Sequence, residues 1–190
     1  MYINGVQPAE LLQGDIIKEY PFCYIPKLDD YLIVRAEQDL VKTYQFGSLE
    51  SKYIAENNRE EQVIVNSKIG NIMLLSQTCD LQRRPKIMAA PIFPVSHLKT
   101  ILEEEGNTEQ QINGKINSLK AVRADSQLKY YFYLPANGFM PESYVDFNLV
   151  FSIPRENIDI SNRIQSLSDR GRHWLSYKVI EFFGRPVEIN

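Results

Sequence analysis

Long apolar runs are missing from this chain. Stretches such as Ile72 to Leu75 are far too short to cross a bilayer as a helix, so no membrane is expected as a partner. Cysteine is scarce: Cys23 and Cys79 cannot build a disulfide framework, although the two could meet as one pair. Histidine is as scarce, with only His97 and His173, which excludes a histidine-rich metal centre. Charge of one sign is nearly balanced by the other, 21 basic against 24 acidic residues for a net −3. That balance excludes a generic polyanion binder, and any nucleic-acid contact would have to be a local patch. There is no Walker loop, no dinucleotide fingerprint and no cysteine pair at zinc spacing. No cofactor and no metal are therefore expected, and nothing specifies a magnesium site from Asp15 and Asp80. The first residues lack the basic and apolar regions of an export signal, which together with unpaired thiols predicts a cytoplasmic, bacterial-type setting.

What is present is core-forming material. Apolar residues make up 44% of the 190, and 11 Tyr, 9 Phe and 1 Trp argue against disorder. That length suits one domain, with or without a sizeable insertion. Gly14-Asp15 reads as a turn leading into a short strand through Phe22, with a further extended piece to Ile25. Asp30–Val34 has strand chemistry, with a helix as the alternative. Residues 37–62 are polar and aperiodic, which predicts a solvated excursion carrying a short helix or hairpin. Its neighbourhood concentrates the acidity: residues 29–62 hold eight acids and four bases, leaving the remainder of the chain at +1.

The centre carries the strongest pattern. Val63–Val65, Asn71–Leu75 and Lys86–Phe93 read as strands, and their continuous apolar runs predict burial on both faces or a place at the middle of a barrel. Ser76–Pro85 between them reads as a polar loop. Residues 96–104 and 107–123 read as helices, the second with Ile112, Ile116, Leu119 and Val122 on one stripe and Asn107 or Thr108 as its cap. Tyr130–Leu134 and Tyr144–Ile153 return to strand chemistry, and a last helix starts at Ser168-Asp169 and stops at Gly184. The order predicts an α+β domain with mostly antiparallel strands.

Chemically capable side chains gather in the Ser76–Pro85 loop. Cys79 is a candidate nucleophile with Asp80 or His97 near it, giving a cysteine hydrolase as one reading. Against this, a neighbouring carboxylate raises a thiol pKa, and a cysteine packed under a turn is the plainer alternative. Arg83 and Arg84 are suited to grip a phosphate through paired guanidinium donors, or are simply solvated charges. Arg170, Arg172 and His173 oppose the dipole at the start of the last helix, which calls for an anion or for pairing with Asp169 or Glu181. Tyr130, Tyr131 and Tyr133 around Phe132 would make a base-stacking platform or a strand packed on both faces.

Two segments carry a family resemblance. Gly14-Asp15-Ile16-Ile17 is similar to the opening strand of PemK/MazF-like toxins. Ile72–Ser76, a polar loop and then Ile87–Ile92 with Pro91 resembles their central strand–serine–loop–strand segment. The resemblance covers about 35 residues. It implies one PemK/MazF-like domain over residues 1–190: a small SH3-like antiparallel β-barrel with a polar insertion at about 37–62, a helical insertion at about 96–124 and a C-terminal helix. It further implies single-stranded RNA as a ligand, an antitoxin or other protein as partner, a homodimer, and metal-independent RNA cleavage through the ribose 2′-hydroxyl. Ser76 matches the family's serine after the strand and Asp15 its acid after the first glycine. Three departures stand out: the chain is much longer, Arg84-Pro85 follows the serine strand instead of preceding it, and the early-loop arginine has no equivalent.

The expected catalytic residues are accordingly Arg84, to offset phosphate charge, Ser76, to hold a phosphate oxygen, and His97, to move protons. Asp15, Thr78, Asp80 and Arg83 are expected to bind substrate. The competing expectation is a non-catalytic protein-interaction module on the same barrel, consistent with net acidity and with the lack of an evident acid–base pair.

Overall fold

The computed structural model describes residues 1–3, 9–23, 32–37, 40–45, 62–64, 67–121 and 130–184. The chain divides into two compact units, residues 21–69 and the remainder. Within residues 21–69, β2 (Leu32–Glu37) pairs antiparallel with both β3 (Leu40–Gln45) and β4 (Gln62–Ile64). Two residues separate Glu37 from its partner Leu40, so a tight hairpin enters the stretch read as a polar excursion. The expected extended piece at residues 24–25 and the rest of the excursion, residues 46–61, lie outside the described residues.

The larger unit is α+β, built on a curled antiparallel half-barrel sheet. Its order is β10-β1-β5-β6-β8-β7, where β1 is Ile16–Cys23, β5 Ser67–Leu74, β6 Lys86–Pro94, β7 Tyr131–Leu134, β8 Ser143–Asp146 and β10 Arg163–Gln165. A further strand, β9 (Phe151–Pro154), continues along β6 where β8 leaves it, so Ile92–Pro94 pair with β8 and Lys86–Ala89 with β9. The expected single strand over Tyr144–Ile153 is thus split. Phe147–Leu149 form a 3-10 turn because the Asp146 carboxylate accepts from the Asn148 N–H, and Phe147 is buried there.

Among the described residues there are four α-helices: α1 (Thr78–Arg83), α2 (Val95–Glu104), α3 (Glu109–Lys120) and α4 (Asp169–Phe183). The first corrects the expectation of an irregular loop. The Gln77 carbonyl accepts from both Asp80 and Leu81 N–H groups, fully buried Leu81 anchors the turn, and Pro85 forces Arg84 into an extended conformation that ends it. Thr108 caps α3 through a reciprocal capping box with Gln111, as its position before the stripe suggested. Ser168 caps α4, and Arg172 pairs there with Asp169.

Alternation sorts the core into two faces. Ile92, Phe132, Leu134 and Val145 join a cluster with Ile16, Met73, Leu167 and Leu175 of α4. Their neighbours in sequence, Phe93, Tyr131, Tyr133 and Tyr144, pack instead against Val95, Leu98, Leu102, Ile112, Ile116 and Leu119 of the α2–α3 pair. The period of two along each strand therefore sends successive side chains to different helices. Tyr131 and Tyr133 are engaged in this packing, with the Tyr133 hydroxyl on Glu142 at 2.6 Å, so the strand packs on both faces in place of the stacking platform weighed above. Burying each such leucine or isoleucine is worth roughly 1.5–3 kcal/mol. Ile72 to Leu75 are all buried, as the continuous apolar run required.

Candidate functional site

Six of the seven expected catalytic and substrate-binding residues lie on or beside the Gly14 turn, the end of β5 and α1. Gly14 has φ +84°, and a Cβ there would stand 2.7 Å from the Leu167 side chain, so this turn needs glycine on both counts. Its N–H donates to the Leu74 carbonyl and the Leu74 N–H to the Asp15 carbonyl, which seats the turn on β5.

Asp15 is completely buried. One carboxylate oxygen accepts from the Leu12 N–H and from Arg163 Nη1, both at 2.9 Å, and the other from the Ser166 hydroxyl at 2.5 Å. Arg163 comes from β10 with its own side chain only 6% exposed, and also donates to the Glu10 carbonyl. A buried ion pair survives only when further hydrogen bonds satisfy its members, and this one has them. The group expected to bind substrate thus cross-links the turn to β10.

Ser76 and Thr78 are similarly committed. The Ser76 hydroxyl accepts from the Met88 N–H at 2.8 Å, closing the turn between β5 and β6. The Thr78 hydroxyl accepts from the Gln13 N–H at 3.2 Å. Gln13 in turn donates to the Leu75 carbonyl and accepts from Ser176 of α4. Solvent meets the corner at Arg83, Arg84 and Cys79. Arg84 lies 3.6 Å from Asp80 one turn back, with both side chains largely in water. Cys79 is exposed, not packed under the turn, and its sulfur stands 3.8 Å from the Gln77 amide oxygen.

His97 is not at this corner. It sits in α2, beyond the far end of β6, while Arg84 precedes the near end. The nine residues of β6 put roughly 25–30 Å of extended chain between them. There His97 Nδ1 is 3.2 Å from the Tyr144 hydroxyl and its ring stacks on Phe93 at 5.0 Å. Asp146 is close enough for the His97 charge to act on its carboxyl, yet burial outweighs that attraction and raises its pKa. Asp15 lies at the Gly14 turn, Ser76 after β5, and Thr78, Asp80, Arg83 and Arg84 on or at the end of α1, whereas His97 belongs to a separate cluster of aromatic rings.

Beside α1 runs an open cleft of about 510 Å³ between the Ala9–Leu11 segment and the connection from β9 to β10. Glu10, Glu156 and Asp159 line it with Leu81, Ile158 and Ile160. Arg155 also lines it, with its Nε donating to the Leu81 carbonyl near the carboxyl end of α1. The sequence offered no signal for this cleft or for Arg163 and Gln13, whose partners lie 148 and 65 residues away. Among the described residues no group of three or more His, Cys, Asp or Glu could hold a metal ion, and no helix is long and apolar enough to cross a membrane. No protein-family model matches the chain, and no curated protein matches it.

Proposed function

We propose that the chain is a non-catalytic binding module on a PemK/MazF-like, SH3-like sheet, with the α2–α3 pair as an insertion and a protein partner, an antitoxin or its counterpart, as ligand. A cytoplasmic setting goes with that reading. One observation carries it: the carboxylate of Asp15 and the hydroxyls of Ser76 and Thr78 hold backbone N–H groups and a buried arginine of the corner itself. A hydroxyl can accept from an N–H and still donate its own O–H, so burial is what counts: Asp15 and Ser76 are both buried, and a phosphate could reach them only by opening the turn. The resemblance itself draws support from topology, because its two segments fall on β1, β5 and β6, consecutive in the sheet.

The second reading, binding and cleavage of single-stranded RNA, is favoured by Arg83 and Arg84, which are exposed on the same corner. Incubating the purified protein with mixed single-stranded RNA in EDTA separates the two. The module leaves the RNA intact, and Arg84→Ala changes nothing beyond a melting shift within a few degrees. Cleavage that disappears in Arg84→Ala overturns the proposal in favour of the ribonuclease.

A further inference from the structure

We propose that the cleft beside α1 receives a short cationic segment of the partner protein, with an Arg or Lys lying between its carboxylates and an aliphatic neighbour resting on Ile158 and Ile160. The proposal rests on the binding-module reading and names the chemistry of its ligand. Glu10, Glu156 and Asp159 line the cleft and are exposed, whereas Arg155 is its one lining cation among the described residues. The arginine beneath, Arg163, is offset by Asp15 and does not cancel the carboxylates. Asp159 is held below the usual carboxylate range by the Ser161 hydroxyl and N–H, and so stays ionised through the physiological range.

The apolar part sets the class of cation. Ile158 is half-buried and Ile160 is 39% exposed, so these two offer the apolar surface. A bare metal ion would gain nothing from these surfaces, while the long methylene stem of an Arg or Lys and a flanking aliphatic residue would cover them. A volume of about 510 Å³ falls within the roughly 300–1,000 Å³ of ordinary binding clefts. An RNA backbone is disfavoured at the same place, because its phosphates would face three carboxylates.

The full chain would be titrated with a fluorescein-labelled pool of hexapeptides carrying Arg at two positions and Leu at two, and with a matched pool carrying Glu for Arg. A labelled single-stranded RNA serves as the third probe. The Arg pool should bind, more weakly as salt rises, and the Glu pool should not. The double variant Glu156→Gln, Asp159→Asn should lower affinity for the Arg pool roughly tenfold, the loss of two exposed ion pairs. Both positions are exposed, and an asparagine keeps the acceptor that Ser161 N–H uses, so the fold is retained. Equal binding of the two pools, no binding of the Arg pool, unchanged affinity in the double variant, or RNA bound in their place each overturns the proposal. RNA cleavage in EDTA is scored separately and bears on the module reading, so the two failures are distinguishable.

Discussion

The two ends of β6 are built on different physics. At its start, polar side chains do the joining: Ser76 closes the turn, Thr78 holds Gln13, and Asp15 binds an arginine 148 residues away. At its end, apolar packing dominates, with Phe93, Tyr131 and Tyr144 against the α2–α3 pair, and the polar ties of Lys120 and Tyr133 to Glu142 lie at the surface. The comparison teaches that reactive residue types at a turn are as readily spent on holding it as on chemistry. It also explains why His97 and Arg84 do not form one site: each serves its own end of the strand.

Breaking the polar end should cost most. Asp15→Ala leaves Arg163 buried without its carboxylate, and about 3–5 kcal/mol of stability should be lost in denaturant unfolding. A loss under 1 kcal/mol would mean that the ion pair is not what secures the turn, and the contrast between the two ends would fail. At the apolar end, Leu98→Ala removes a fully buried side chain from the helical face and should cost about 2–4 kcal/mol. Amide exchange should then rise first in α2 and α3 and leave β10 protected; uniform loss would show that the two ends unfold as one unit.

The smallest effect sharpens the comparison through pH. Burial raises the Asp146 carboxyl pKa, so its ionised form opposes folding above the usual aspartate range and its protonated form does not. Asp146→Asn keeps the acceptor for the Asn148 N–H while removing that charge. Its melting temperature should exceed the parent's at pH 7, and the gain should vanish as the pH falls through the raised value toward 3.8. An advantage that persists at low pH would assign the effect to something other than ionisation.

Much of the fold was legible because its signals are local. The stripe Ile112, Ile116, Leu119 behind Thr108, the continuous run Ile72 to Leu75, and Ser168 before the last helix each declare an element within a dozen residues. β10 and α1 were not legible: Arg163–Gln165 is three residues long and exists by pairing with β1, and α1 is a short polar helix held by one buried leucine. The corner was half legible. The residue types around Ser76–Arg84 stand together because they are consecutive in the chain. Their roles depended on acceptors and donors supplied by Gln13, Met88 and Arg163, which no spacing rule connects to them.

Residues 1–3 are fastened to residues 166–171, where α4 starts. Met1 offers its carbonyl to Ser168, Ile3 donates to Ser166, and a Cβ on Gly171 would stand 2.5 Å from the Met1 oxygen. During synthesis, therefore, residues 1–3 can take their place only after residues 166–171 have been made. Until Arg163 and the start of α4 have been translated, Asp15 has no countercharge and β1 no outer neighbour, and the sheet cannot close on that side. Completion of this sheet therefore waits on residues 163–165, and a ribosome stalled before Arg163 would hold a sheet with one edge still open.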